Sequence, residues 1–187
     1  MSDKTTVLRK AISNELCEFL SLQFRILTIV DYDSGLYSKP ANDSELFSKY
    51  SPLFLDSLLL YLQPLIQENF KERLLPTYSF GRIYGHQHAL PPHFDLRSSS
   101  EIGVSCCLSK DSEWSLDFYK SDKIESVSLE IGDVVIFHGS SLKHGRAPYS
   151  GQEYIGAFLF YVFENGPLKH LKYDTRPFLG CPLPRNS

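Results

Sequence analysis

SLEIGDVVIFHGSSLKHGRAP occupies residues 128–148. Gly132-Asp133 reads as a tight turn into an apolar strand, Val134 to Phe137. Gly139-Ser140-Ser141 turns the chain again, and His144 begins the next strand. An imidazole is thereby set at a strand mouth. About fifty residues upstream, PPHFDLRSSSEIG (91–103) carries His93 and Asp95 two positions apart. On an extended chain such a pair faces one side. Taken alone, H-x-D arises by chance in roughly one chain in three of this composition, and reads as a surface hydrogen-bonded pair.

The surrounding sequence is rich in strands. PTYSFGRIY, EIGVSCCLS, WSLDFY, SVSLE, DVVIFH and EYIGAFLFYV are short β-branched and aromatic runs punctuated by Gly, Ser, Asp and Lys. The first third reads as helical. Ser13 is placed to cap NELCEFLSLQF, with Leu16, Phe19, Leu20 and Phe24 on one stripe. Ser51-Pro52 opens a second helix, with Ser as N-cap and Pro at the first helical position. Leu55, Leu58, Leu59, Leu62, Leu65 and Ile66 keep helical spacing, and Pro64 is expected to kink or restart the helix. Six to eight strands behind two or three helices imply a mainly β domain, a β-sandwich or jelly roll with helices packed on one sheet. The expected organisation of residues 1–187 is one domain. Helical support covers about 1–75, the β core about 76–165 and a polar tail 166–187.

Composition narrows the function classes. The 187 residues are 42% hydrophobic and 22% charged, with net charge −3. This balance gives no electrostatic reason to expect nucleic acid or an anionic membrane as partner. No apolar run is long enough to span a bilayer. The polar, charged first residues do not read as a signal peptide. Cys17, Cys106, Cys107 and Cys181 have no disulfide-like spacing, so reduced thiols in a cytoplasmic protein are expected. Adjacent Cys106 and Cys107 should point to opposite faces of a strand. HGSSLKHG lacks the G-x-S-x-G spacing of a nucleophile elbow, and neither a P-loop nor G-x-G-x-x-G occurs.

Two His and one carboxylate on a β scaffold make the facial triad of non-haem Fe(II) oxygenases. RIYGHQHALPPHFD followed by GDVVIFHGSSLKHGRAP resembles the 2-oxoglutarate/Fe(II)-dependent dioxygenases, in their small prolyl-4-hydroxylase-like branch. The resemblance covers about residues 75–165. It rests on Arg82-x-Tyr84, the H-x-D pair, and G-D with H-x-x-x-P. It implies a double-stranded β-helix, the jelly-roll or cupin-like fold. It also implies Fe(II) on His93, Asp95 and His144, with 2-oxoglutarate and dioxygen as cosubstrates. Hydroxylation of a peptidyl residue or small amino-acid-like substrate would accompany decarboxylation to succinate. Related halogenases lack the carboxylate ligand, so Asp95 disfavours halogenation.

The chain departs from that family in one place. A base usually follows the distal His on the next strand and pairs with the far carboxylate of 2-oxoglutarate. Here the position holds Glu153 or Tyr154, and a carboxylate is a poor partner for a carboxylate. Arg146 lies two residues after His144, about 7 Å along an extended chain, and Arg suits bidentate carboxylate binding. Arg97, two after Asp95, and Arg82 are the other candidates. Tyr84 matches the tyrosine that hydrogen-bonds the cosubstrate, and reads equally as a core aromatic. His86 and His88 belong to a loop at the site mouth. His138 is a candidate pocket residue rather than a ligand, His170 has no constellation, and Trp114 reads as packing. The 31–45 loop is a candidate lid. Two readings from other classes stay open: a cupin-like metal-binding or ligand-sensing module without turnover, and a metal-free interaction domain.

Overall fold

Alternation along the long strands builds two cores, one on each face of a single sheet. The computed structural model describes residues 3–33 and 47–181. In chain order the elements are β1 (Thr6–Leu8), α1 (Asn14–Asp33), β2 (Phe47–Tyr50), α2 (Leu53–Gln67), β3 (Leu74–Tyr84), β4 (Leu90–His93), β5 (Ile102–Lys110), β6 (Leu116–Tyr119), β7 (Ile124–Val127), β8 (Val134–Phe137), β9 (Lys143–Arg146) and β10 (Tyr154–Phe163). A 3-10 segment, Lys169–Thr175, follows. Six strands form one antiparallel sheet in the order β1-β8-β5-β10-β3-β2, and four form another in the order β4-β9-β6-β7. This is the jelly roll that the strand pattern predicts.

One face of the larger sheet carries Val104, Cys106, Leu108, Val134, Ile136, Ile155, Ala157 and Leu159 against Leu20 and Phe24 of α1 and Leu55, Leu59, Leu62 and Ile66 of α2. Gly81 lets α1 come close, because a Cβ there would lie 1.8 Å from the Phe24 ring. The opposite face contributes Tyr84, Cys107, Val135, Phe137 and Tyr154 to a core shared with Leu116, Phe118 and Val127 of the smaller sheet. Cys106 and Cys107 therefore enter different cores, as period-two alternation requires. All four cysteines are free thiols.

Several local expectations need correction. The first third is not purely helical: β1 and β2 are edge strands of the larger sheet. Three and four residues are too few to show a period, and their pairings to β8 and β3 define them. Ser13 does accept the Leu16 N–H, at 3.3 Å. The buried stripe of α1, however, is Cys17, Leu20, Ser21 and Phe24, while Phe19 is 55% exposed. At α2 the flanking residue is Pro52, not Ser51. Ser51 Oγ donates to Asp56 Oδ1 at 2.7 Å and accepts the Ser79 N–H at 3.4 Å, and the helix has no side-chain cap. The helix continues through Pro64 to Gln67, its last turns held down by buried Leu62 and Ile66. Of the 31–45 stretch, α1 takes the residues through Asp33, and the rest lies outside the described residues. The polar tail is not all surface: Asp174 and Arg176 are buried.

Candidate metal centre

The register between β4 and β9 sets His93 directly opposite His144, and cross-strand neighbours are close enough for their side chains to meet. Their ring centroids lie 4.5 Å apart. His93 ends β4, so Asp95 is not on a strand as the spacing suggested. Its position comes instead from a loop hydrogen bond, Asp95 N–H to the Gly139 carbonyl at 2.9 Å. Gly139 must be small there: a Cβ would lie 2.2 Å from Asp95 Oδ2.

Each imidazole is oriented by a backbone carbonyl. His93 Nδ1 is 2.8 Å from Pro91 O, and His144 Nδ1 is 2.9 Å from Leu142 O. A carbonyl only accepts, so each Nδ1 carries the proton and each Nε2 presents a lone pair. Those two Nε2 atoms lie 3.8 and 3.7 Å from Asp95 Oδ1. One ligand atom from each of His93, Asp95 and His144 falls within 4.8 Å of the others. Three acceptors converge with no donor among them, an arrangement that a cation completes.

Electrostatics sharpen this. Burial pushes the Asp95 carboxyl up to about 6, although His93 and Arg82 pull it down. Burial pushes His144 down to about 4; its bond to Leu142 opposes that shift, while His93 and Arg146 add to it. Asp95 Oδ2 is buried and has no hydrogen-bond partner among the described residues. The donor set, hard carboxylate plus two neutral imidazoles with open positions, suits a divalent first-row metal such as Fe(II).

Beside the triad lies a cavity of about 210 Å³ between the sheets. Tyr78, Phe80, Arg82 and Tyr84 of β3 and Phe158 and Phe160 of β10 line it. The three arginines sit differently. Arg82 lines the cavity, rests 5.0 Å over the Phe80 ring and donates to Tyr84 Oη at 3.4 Å. Arg97 lines the rim, ion-paired with Asp174 and set over Tyr50 and Tyr78. Arg146 is 4% exposed and is not among the lining residues. It is sandwiched between Trp114 and Tyr154, and donates to Trp114 O at 2.8 Å and Tyr154 Oη at 3.2 Å. Its Nε has no partner and no carboxylate faces it among the described residues. Glu153 points away from the barrel to Arg25, whereas Tyr154 is buried in the inter-sheet core.

The remaining histidines lie elsewhere. His138 packs against Phe70 and Phe163 and does not line the cavity. His88 Nδ1 accepts the Gly85 N–H at 2.7 Å, and His86 Nδ1 meets Ser150 O at 3.2 Å, so both brace a turn. His170 is exposed. Trp114 Nε1 donates to Ala147 O. Sequence reasoning missed Ser105, whose buried Oγ lines the cavity without a partner among the described residues. The period-two pattern of EIGVSCCLS holds that information once the inward face of β5 is known.

No protein-family model matches the chain, and no curated protein matches it. Solved structures do match. A prolyl-4-hydroxylase from Pseudomonas putida aligns with TM-score 0.63 and 14% identity, over 84% of this chain and 91% of that one. A prolyl hydroxylase from Trichoplax adhaerens, in complex with a hypoxia inducible factor peptide fragment, aligns with TM-score 0.66 and 13% identity over 86% and 84%. HygX from Streptomyces hygroscopicus, with nickel and 2-oxoglutarate bound, gives 0.63 and 14% over 84% and 81%. At these identities the likeness is one of fold, the jelly roll of 2-oxoglutarate/Fe(II) oxygenases. No described helix is long and apolar enough to cross a membrane.

Proposed function

We propose that the protein is an Fe(II)- and 2-oxoglutarate-dependent dioxygenase that hydroxylates a peptidyl residue or small amino-acid-like substrate. The observation that carries this reading is the convergence of two lone-pair-bearing imidazoles and one carboxylate beside an inter-sheet cavity. The shared fold with oxygenases of that chemistry supports it. His93, Asp95 and His144 would hold the iron, which when bound supplies the activation of dioxygen coupled to 2-oxoglutarate decarboxylation. The carbonyls of Pro91 and Leu142 keep both rings in the ligating tautomer. Aromatic side chains of β3 and β10 form much of the cavity wall.

For the far carboxylate of 2-oxoglutarate we assign Arg146. It shares the inward face of β9 with His144, about 7 Å further along the strand. A buried guanidinium with no carboxylate is costly, and an anionic ligand offsets that cost. Tyr84 shares Trp114 with Arg146 and lines the cavity, so its hydroxyl is the adjoining donor. Arg82 is the alternative from the cavity wall, and Arg97 is already neutralised by Asp174.

The test is anaerobic addition of Fe(II) and 2-oxoglutarate, which should give a weak visible charge-transfer band, followed by air, which should give succinate. A folded protein that yields neither sinks the reading. Arg146→Met should weaken 2-oxoglutarate binding while metal binding persists; unchanged affinity transfers the role to Arg82. The outward Glu153 leaves β10 without an inward cation, which favours a second reading, a metal-binding or ligand-sensing module without turnover. Metal retention without oxygen-dependent succinate would select it.

A further inference from the structure

Inward positions of the larger sheet stack in rows, because residues paired across strands share a face. Gly103 of β5 lies opposite Phe160 of β10 and Phe137 of β8. This row is level with the metal triad, since a Cβ at Gly103 would sit 3.4 Å from Asp95 Oδ2. One row further in, Ser105 pairs with Phe158 of β10 and Val135 of β8, and Phe158 pairs with Phe80 of β3. The next row holds Cys107, Gly156 and Arg82. Successive rows are about 7 Å apart along the strands. On the facing sheet, Arg146 is likewise one inward position beyond His144.

Ser105 is the polar member of an otherwise apolar row. It is 1% exposed, yet its Oγ lines the cavity and has no hydrogen-bond partner among the described residues. Buried hydroxyls are nearly always bonded, and one left alone costs stability. Alanine or valine would fill the same strand position without that cost. An acceptor that enters the cavity supplies the missing partner. The surroundings set its charge. Asp95 is the sole carboxylate among the described lining residues and belongs to the triad, while Arg82 lies one row deeper.

We propose that Ser105 Oγ donates to the far carboxylate of a bound keto diacid, from the wall opposite Arg146, and so selects cosubstrates that carry this second carboxylate. The assignment rests on the dioxygenase reading above. A five-carbon diacid whose keto-acid end meets the triad extends about one row inward. A carboxylate has two oxygens and about four lone-pair sites, so it can take a guanidinium and the Ser105 hydroxyl together. Arg82 would serve the same carboxylate, so the role of Ser105 does not depend on which arginine anchors it. The guanidinium supplies charge, and the hydroxyl adds a directed, charge-assisted bond.

Calorimetric titration of the Mn(II)-loaded full chain tests this without turnover. The probes are 2-oxoglutarate and 2-oxopentanoate, which carries a methyl in place of the far carboxylate. Ser105→Ala should bind 2-oxoglutarate about 10-fold or more weakly. Its affinity for 2-oxopentanoate should change by less than about twofold, because the two effects are then coupled through the missing carboxylate. Mn(II) affinity should be unchanged. Without metal or keto acid, the variant should melt at the same temperature as the wild type or higher, since it loses an unpartnered buried hydroxyl. A lower melting temperature overturns the proposal, because the hydroxyl then has a partner within the protein. Equal 2-oxoglutarate affinity overturns it too, and assigns the hydroxyl to an ordered water. Equal losses for both acids overturn the far-carboxylate contact. If neither acid binds the metal-loaded wild type, the dioxygenase reading falls and this assignment with it; wild-type binding of 2-oxoglutarate leaves only Ser105 at stake.

Discussion

Gly139→Ala tests whether Asp95 is a ligand held by close packing. The added methyl would lie 2.2 Å from Asp95 Oδ2, 3.1 Å from its Cγ and 2.9 Å from the Ser100 carbonyl oxygen. Non-bonded contact begins near about 3.5 Å, so the carboxylate must retreat by roughly 1 Å. Its backbone cannot follow freely, because the Asp95 N–H is bonded to the Gly139 carbonyl itself. Metal–ligand distances tolerate only about 0.2 Å, so the shift removes one of three ligands, and affinity should fall about 100-fold. At metal equal to 100 times the wild-type Kd, binding stabilises the wild type by about 2.7 kcal/mol and the variant by only about 0.4 kcal/mol. Overpacking alone should cost about 1–3 kcal/mol in the metal-free protein. Urea unfolding with chelator and with Mn(II) or Co(II) separates the two effects. Gly103→Ala supplies a graded comparison. Its methyl would sit 3.0 and 3.1 Å from the Phe137 ring and 3.4 Å from Asp95 Oδ2. The ring can yield, so the loss of metal affinity should be smaller. Wild-type metal affinity in Gly139→Ala, or a larger loss in Gly103→Ala, refutes the reasoning.

The rim and the sheet edge make further predictions. Asp174 accepts from Tyr50 Oη and Ser99 Oγ, both at 2.6 Å, and from Arg97, at a backbone φ of 54°. Asp174→Ala should cost about 2–4 kcal/mol, and Asp174→Asn, which tolerates that φ, distinctly less; equal urea midpoints for the two would contradict this. Asp133 ties the start of β8 to the end of β1 through Arg9, the Lys10 N–H and the Glu130 N–H. Burial raises its pKa, but these bonds outweigh it and hold the carboxyl below its usual value. Its stabilisation is therefore complete above the unfolded carboxylate pKa near 3.9, and is lost as pH falls through the lower folded value. Asp133→Asn should be about 1–2 kcal/mol less stable at neutral pH, with the gap to wild type closing below about pH 4. A gap independent of pH would show that the charge is not what matters.

Much of the fold was legible in covalent geometry. Period-two alternation placed Cys106 and Cys107 on opposite faces of β5, and turn residues marked the major strands. The H-x-D spacing and the mouth position of His144 were equally local facts. The β4–β9 register that sets His93 against His144 is not, since it depends on hydrogen bonds between segments about fifty residues apart. Gly139 looked like an ordinary turn glycine until the packed Asp95 carboxylate gave it a second reason.

Three arginines had suitable parity, and parity cannot state depth along a barrel. Only the packed structure puts Arg97 at the rim against Asp174, Arg82 on the cavity wall and Arg146 between Trp114 and Tyr154. Helix α1 makes the same point. Its sequence marks Phe19 and Phe24 alike as apolar, and only the sheet beneath decides that Phe24 is buried and Phe19 is not. Residue type and period are determined along the chain, whereas burial and register are properties of what lies across the gap.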